Sequence, residues 1–275
     1  MTTYRETLKS ELPIIIPAKD AADHLPKTLS TLHQIGSEVI VVINGTSDNS
    51  AEISLQAGAT VLESKPGKMP AIQAGLEYLG SRALEPLVIL DADTYPLDAT
   101  GWARAAYDGL SQSYGAAAIY PWLITRSGSI NGSLRTLRSL QNSLMHPHKP
   151  LSRVGHSMGL KLTQNSLKDF LSLPNFWPRE DIAMVRVMQK DGVKTQRPYG
   201  LHYFLSTPCP NPEITLIKRL SLGLERASEI SDDLYIRRGP SDAIYYNDKQ
   251  FCAENGLPLT LNGTLAARQT SPVVQ

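Results

Sequence analysis

The fold that we expect for this chain is decided by Leu87-Val88-Ile89-Leu90-Asp91-Ala92-Asp93. Four consecutive apolar residues lead directly into two acidic ones. A short, continuous apolar run that ends in polar residues predicts a strand buried on both faces, as in parallel sheets. The polar residues after such a strand lie at the carboxyl end of the sheet, where open α/β folds bind their ligands.

Similar runs occur upstream, and segments with helical spacing separate them. Strands are predicted over 12–17 and 38–43 and from residue 60, and helices over 25–35, 48–57, 69–79 and 101–110, with Asp48 as the N-cap of the second helix. This alternation predicts an α/β protein whose mostly parallel sheet is flanked by helices. Beyond a strand at 116–120 the pattern is less regular, with helices expected over 133–145, 180–189 and 213–230 and strands over 157–162 and 193–196.

Composition narrows the class of protein. Lys and Arg number 27 and Asp and Glu 26 in 275 residues, so the basic excess of a nucleic-acid-binding protein is missing. The two cysteines, Cys209 and Cys252, form no C-x-x-C pair, which argues against a disulfide scaffold or a cysteine-ligated zinc site. The polar N-terminus and the lack of an apolar run of about 20 residues lead us to expect a cytoplasmic protein.

One segment is strongly basic. No acid lies between Asp108 and Asp169, whereas the segment 126–168 holds seven Lys or Arg residues and three histidines. The simpler interpretation is a solvated basic face. The functional interpretation is a surface for an anionic acceptor, a lipid pyrophosphate or a layer of membrane headgroups.

Several polar residues are candidates for a site at the carboxyl edge of the sheet. Asp91 and Asp93 offer the oxygen ligands that a hard divalent cation prefers. A cationic side chain at a helix N-terminus, as predicted for Lys68 after Gly67, favours phosphate. The ends of the first two strands add Pro17, Ala18, Asp20 and Asn44. Each of these segments also fits an ordinary turn between a strand and a helix, with Asp93 capping the next element.

A second pair of acids, Glu180 and Asp181, opens a predicted helix 87 residues or more after Asp93. A carboxylate carried into a cleft in this way acts as a general base. The alternative is that both acids only stabilise the positive end of the helix dipole.

Taken in order, these segments resemble the family 2 glycosyltransferases with the GT-A fold. The resemblance covers about residues 12–205. It rests on Pro17-Ala18-Lys19-Asp20, on Gly67-Lys68-Met69-Pro70-Ala71-Ile72-Gln73-Ala74-Gly75-Leu76, on Asp91-Ala92-Asp93 and on Glu180-Asp181. The segment Gly155-His156-Ser157-Met158-Gly159 is similar to the family's stretch before the acceptor-binding region.

The resemblance implies an inverting glycosyltransferase that moves a sugar from a nucleotide-sugar donor to an acceptor hydroxyl. Asp181, next to Glu180, would be the base. Asp93 would hold Mn²⁺ or Mg²⁺ against the diphosphate, Asp91 would contact the ribose or the metal, Ala92 between them would lie at the nucleotide, and His202 would complete the metal shell. Pro17, Ala18, Asp20, Asn44 and Lys68 would contact the nucleotide. We expect a UDP-sugar, although Ile43 and Lys19 depart from the family pattern at positions that would contact the nucleotide.

The resemblance also bears on partners and organisation. The family's Q-x-x-R-W signature is missing and no membrane helix is predicted, so we expect a soluble, non-processive enzyme of glycan or polysaccharide biosynthesis. Its acceptor would be a glycan or a lipid-linked molecule, with peripheral membrane contact through the segment 126–168 and no nucleic acid. Residues 1–115 would bind the nucleotide-sugar, 116–261 would bind the acceptor and supply the base, and 262–275 would form a flexible tail.

Two alternatives remain open at this point. A sugar nucleotidyltransferase would share the metal site but usually carries a Gly-rich loop after its first strand, where this chain has Pro17-Ala18-Lys19-Asp20-Ala21. A non-catalytic, degenerate transferase would act as a binding module. Release of pyrophosphate would identify the first, and failure to turn over any donor would identify the second. A dinucleotide oxidoreductase is not expected, because no G-x-G-x-x-G follows the first strand.

Overall fold

The computed structural model describes residues 12–113, 115–119, 122–126, 157–177, 180–192, 194–196, 204–208, 244–245 and 247–257. The helices expected over 133–145 and 213–230 and the tail from residue 262 lie outside these residues. The expected division of the chain near residue 115 stays a prediction.

The described strands and helices follow one another in a regular order in the first half of the chain. The strands are β1 Ile14–Ala18, β2 Val39–Ile43, β3 Thr60–Glu63, β4 Leu87–Leu90, β5 Tyr95–Pro96, β6 Ala117–Ile119, β7 Trp122–Arg126, β8 Ser157–Lys161, β9 Phe176–Trp177, β10 Lys194–Gln196, β11 Phe204–Pro208 and β12 Ile244–Tyr245. The α-helices are α1 Leu25–His33, α2 Ser50–Gln56, α3 Lys68–Leu79, α4 Ala99–Ser111, α5 Gln164–Ser172, α6 Glu180–Lys190 and α7 Asp248–Glu254, and a 3₁₀ helix spans Gly80–Leu84.

Seven of these strands form the central sheet, in the order β10-β6-β8-β4-β1-β2-β3. Strands β4, β1, β2 and β3 run parallel to one another, whereas β8 runs antiparallel to both of its neighbours, β4 and β6. Two small sheets accompany it, β5-β11-β7 and β12-β9. The carboxyl ends of β4, β1 and β2 therefore meet at one edge of the central sheet.

The central strands are buried on both faces because helices cover both sides of the sheet, and successive side chains of a strand point to opposite sides. Ile15, Ile40 and Ile89 belong to a core that also contains side chains of α3, α5 and α6. Ile14, Val41 and Val88 belong to a second core with side chains of α1 and α4. Such two-sided burial explains why these strands consist of continuous apolar runs.

The α/β architecture expected from the sequence is confirmed, and the first four strands and four helices lie within two residues of their predicted ends. The central sheet is mostly parallel, as expected, with β8 as its antiparallel strand. Two details differ. The N-cap of α2 is Asn49 and not Asp48. Helix α5 was not predicted, although Thr163 and Ser166 form a capping box at its start. Within the described part of the chain, none of the helices is both long and apolar enough to cross a bilayer.

Candidate functional site

Three hydrogen bonds hold the turn after β4 in place. Thr28 of α1, which is fully buried, donates a hydrogen bond to the carbonyl oxygen of Ala92 at 2.8 Å. The Thr94 amide donates to the Asp91 carbonyl at 3.0 Å, and the Thr94 hydroxyl donates to Asp93 Oδ1 at 3.0 Å. The side chains of Asp91 and Asp93 are thereby held at the carboxyl edge of the sheet.

The loops after β1 and β2 are joined to each other. Asp20 has a left-handed backbone (φ 47°) and its Oδ1 accepts from the amide of Ser47 at 2.9 Å. Asp48, one residue before the N-cap of α2, accepts from the amide of Ala22 at 2.9 Å and from the amide of Ser50, the first residue of α2, at 3.0 Å. The Ser50 hydroxyl bond and then the Ala22 amide lower the pKa of Asp48. The carboxylates of Asp20 and Asp48 thus connect the two loops at this edge of the sheet.

The predicted nucleotide contacts at this edge differ in exposure. Pro17 and Ala18 are buried in β1, and Ala18 accepts a backbone hydrogen bond from Asn44 at 3.0 Å. Asn44 is itself only 4% exposed. Asp20, in contrast, is exposed, so its side chain is accessible to a ligand, whereas Pro17, Ala18 and Asn44 are not.

Lys68 begins α3 and lies between acids from two other elements. Its Nζ is 2.6 Å from Asp91 Oδ1 and 3.2 Å from Glu180 Oε1. Burial alone would lower the pKa of Lys68, but the Asp91 and Glu180 carboxylates outweigh this effect and raise the pKa. The ammonium group is therefore charged and joins the turn after β4 to the start of α6.

Asp181, the next residue of α6, is only 8% exposed. Its Oδ1 accepts from the amide of Ile182 at 2.9 Å. Burial first and the neighbouring Glu180 second raise the pKa of Asp181 from 3.8 to about 7, against the opposing effect of Lys68. A carboxyl group with this pKa both takes and returns a proton near neutral pH.

A small, partly open cavity brings these groups together. Its polar lining comes from β4, β8, α3 and α6, and its apolar lining from isoleucines and methionines. The lining residues are Lys68, Ile72, Ile89, Asp91, Ser157, Met158, Glu180, Asp181 and Met184.

Ser157, at the start of β8, contributes a hydroxyl group to this lining. Among the described residues its Oγ has no hydrogen-bond partner, although the atom is buried. Residues 155–159 also fit the G-x-S-x-G pattern of a nucleophile elbow, in which the serine stands between a strand and the helix that follows it. Ser157 instead opens a strand paired antiparallel with β4, so the structure does not support a hydrolase elbow.

The structure thus brings four predicted residues into one cavity, namely Lys68, Asp91, Glu180 and Asp181. The other predicted residues with described positions, Pro17, Ala18, Asp20, Asn44, Ala92 and Asp93, lie outside its lining. His156 and His202 fall outside the described residues. In the part of the chain that is described, no group of three or more His, Cys, Asp and Glu residues is placed to hold a metal ion.

Comparison with known proteins gives one family and one fold. The family model "Glycosyl transferase family 2" matches residues 14–146, which include the site residues up to Asp93 and end before Glu180. None of the curated proteins matches the chain.

Among solved structures, the chain is similar to glucosyl-3-phosphoglycerate synthase from Mycobacterium tuberculosis in complex with Mg²⁺ and uridine diphosphate. Identity is 15%, coverage is 78% of this chain and 79% of that chain, and the TM-score is 0.50. The same enzyme with Mn²⁺, UDP-glucose and glycerol 3-phosphate gives the same four values. Its complex with Mn²⁺, UDP and glucosyl-3-phosphoglycerate gives 16% identity, 77% coverage of each chain and a TM-score of 0.49. At these identities the likeness shows the GT-A fold.

Proposed function

We propose that this chain, which belongs to glycosyl transferase family 2 through residues 14–146, is an inverting transferase that moves one sugar from a nucleoside-diphosphate donor to an acceptor hydroxyl. The reaction takes place at the cavity between β4, β8 and α6. A UDP-sugar is the favoured donor, because the similar synthase structures contain UDP or UDP-glucose.

The observation that carries the proposal is the environment of Asp181. It is a buried carboxyl group in a cavity next to the turn that bears Asp91 and Asp93, and its pKa of about 7 suits a general base. Asp181 takes the proton of the acceptor hydroxyl while that oxygen attacks the anomeric carbon. The bond from this carbon to the nucleoside diphosphate breaks on the opposite side, so the anomeric configuration inverts.

The residues at the end of β4 fit a hard divalent cation. Asp91 and Asp93 supply carboxylate oxygens, the ligands that Mg²⁺ and Mn²⁺ prefer. Because Lys68 already neutralises Asp91, Asp93 is the better candidate ligand, and His202 stays a prediction. When bound, the metal ion would offset the charge of the diphosphate leaving group. The similar synthase structures hold Mg²⁺ with UDP or Mn²⁺ with UDP-glucose.

Lys68 and the loops after β1 and β2 supply the remaining contacts to the nucleotide-sugar donor. Lys68 lies at the N-terminus of α3, where backbone amides and its own ammonium group favour phosphate oxygens. Asp20 and the exposed Lys19 are the accessible nucleotide contacts at this edge. The buried Pro17, Ala18 and Asn44 shape the backbone on which these contacts depend.

What we propose about the acceptor rests on the sequence. We propose a glycan or a lipid-linked acceptor and peripheral membrane contact through the segment 126–168. Of its basic residues, Lys161 is described in a structural role, because its Nζ donates to the carbonyl oxygen of Ser113 at 2.9 Å near the end of α4. Glycerol 3-phosphate in the similar synthase structure makes a small phosphorylated acceptor the first compound to include beside glycans.

The test is a panel of nucleotide sugars with Mn²⁺ or Mg²⁺, read by thermal shift and by the released nucleotide. We expect one donor to stabilise the protein and to release a nucleoside diphosphate slowly by hydrolysis. Asp93→Ala should lose both effects. Asp181→Asn should keep donor binding and lose about 10²- to 10⁴-fold of transfer to an acceptor. Asp108→Asn, an exposed acid on α4, is the control.

The outcomes separate the alternatives. Release of pyrophosphate would support a sugar nucleotidyltransferase instead. If no nucleotide or nucleotide-sugar binds in the presence of metal, the transferase proposal is wrong and a non-catalytic binding module takes its place.

A further inference from the structure

We propose that Asn175 is a positioning residue for the transfer site. It joins the loop before Lys68 to the segment that leads into Glu180 and Asp181, and the C-terminal segment 244–257 holds it in place. The inference rests on the proposed function, because it assigns Asn175 a part in arranging that same cavity.

The side chain of Asn175 makes the first connection. Its Nδ2 donates to the carbonyl oxygen of Pro66 at 3.2 Å. Gly67 has φ 126°, and a Cβ atom built at this position would lie 2.4 Å from Asn175 Oδ1. The amide group of Asn175 therefore fills the space that any other residue at position 67 would need, so the loop and Asn175 are packed in direct contact.

The backbone of Asn175 makes the second connection. Its carbonyl oxygen accepts from the amide of Ile244 at 2.8 Å, at the point where β12 pairs in parallel with β9. The ring of Phe251 on α7 meets the ring of Phe176 edge to face, with 5.9 Å between their centres. Cys252 is 1% exposed, so α7 is packed inward at this place. Residues of the segments 244–245 and 247–257 thus contact the chain at the Asn175 carbonyl and at the residue that follows it.

These contacts lie next to two residues of the cavity lining, Lys68 and Glu180. Lys68 follows the Pro66–Gly67 pair directly, and Glu180 follows Asn175 by five residues. The ion pair of Lys68 with Glu180, at 3.2 Å, joins the two chain segments a second time. Because an ion pair and a hydrogen bond each weaken steeply with distance, loss of the Asn175 contact would let Lys68 and the start of α6 move apart.

The first test compares Asn175→Ala and Asn175→Asp with wild type. Asparagine to aspartate keeps the shape against Gly67 but places a carboxylate against the Pro66 carbonyl. We expect both variants to lower kcat by about three- to tenfold, with the donor KM changed by less than about twofold. Ser172→Ala is the matched control, because its hydroxyl donates to the backbone carbonyl of Asp169 only three residues earlier. A wild-type kcat in both Asn175 variants, or an equal loss in Ser172→Ala, would overturn the proposal.

The second test does not depend on activity. Hydrogen–deuterium exchange is followed in the segments 64–70 and 180–186, with Ile244→Pro added to remove the amide that donates to Asn175 and Ile244→Val as its control. We expect exchange to rise in both segments in Asn175→Ala and in Ile244→Pro, and in neither control. If only the 64–70 segment responds, Asn175 is a local packing residue and the proposal is wrong. An inactive wild type that passes this test would contradict the proposed function alone.

Discussion

Thr28 on α1 donates its hydroxyl hydrogen to the carbonyl oxygen of Ala92, 64 residues further along the chain. The bond is 2.8 Å long and Thr28 is fully buried, so it fixes the backbone between Asp91 and Asp93. The position of the proposed metal ligands therefore depends on a helix that contributes no residue to the cavity.

Replacement of Thr28 by valine should disturb this turn. Thr28→Val keeps the shape but leaves the Ala92 carbonyl without its donor, which we expect to cost about 1–3 kcal/mol of unfolding free energy and to weaken Mn²⁺-dependent donor binding several-fold. The control is Thr31→Val, because Thr31 donates to Lys27 within its own helix. Chemical denaturation and donor titration measure both effects. Equal donor affinity in the two variants would show that the turn does not need Thr28.

The pH profile should report on Asp181. Because a base works in its deprotonated form, transfer should rise with pH through about 7 and then level off. Glu180→Gln removes a like charge that raises the pKa of Asp181, so the rising limb should move to lower pH. Glu77→Gln, an exposed acid on α3, should leave the limb in place. A limb that moves to higher pH in Glu180→Gln would contradict the assignment of Asp181 as the base.

Lys68 should compete with divalent metal for Asp91. Its ammonium group lies 2.6 Å from Asp91 Oδ1, so a second cation gains little there. We expect Lys68→Met to bind Mn²⁺ on the order of tenfold more tightly without nucleotide, about 1.4 kcal/mol, and yet to turn over donor more slowly. Mn²⁺ titration followed by electron paramagnetic resonance measures the first effect. Lys65→Met, a charge change in the same loop outside the cavity lining, is the control.

Gly75 should be intolerant of a side chain. A Cβ atom there would lie 2.7 Å from Cγ2 of Ile15, which is fully buried in β1. Gly75→Ala should therefore destabilise the protein by about 1–3 kcal/mol, although alanine favours helix by about 1 kcal/mol. In an Ile15→Ala background the same change should cost less. A stabilising Gly75→Ala would show that α3 and β1 are not in close contact.

The sequence predicted those features of the fold that depend on local patterns of residues. β1, β2 and β4 are recognisable because burial on both faces makes them apolar throughout, and the resemblance to family 2 glycosyltransferases is confirmed by the family match. The antiparallel direction of β8 could not be predicted from the sequence, because it is set by pairing with β4, in which Ser157 lies opposite the distant Leu90.

The candidate site was predicted in part for the same reason. Lys68, Asp91 and the Glu180–Asp181 pair could be named from their motifs, but the ion pair between Lys68 and Glu180 joins segments more than 100 residues apart. Asn175 and Thr28 carried no recognisable signal, because each acts through a single hydrogen bond to a distant backbone carbonyl. The predicted N-cap at Asp48 was one residue too early, because α2 begins at Ser50, although the Asp48 side chain does accept from the Ser50 amide.

The strand order β10-β6-β8-β4-β1-β2-β3 has a consequence for how the molecule is made. On the ribosome, β2, β3 and β4 each find a partner among residues that have already been synthesised, whereas β6 must wait for β8 before it has a neighbour. At about 5–20 residues per second, Glu180 emerges roughly 4–18 s after Asp91. We expect pulse-labelled nascent chains to protect residues 12–113 first. A destabilising change in β1 should then reduce yield during synthesis, whereas one in α6 should act only on the completed chain.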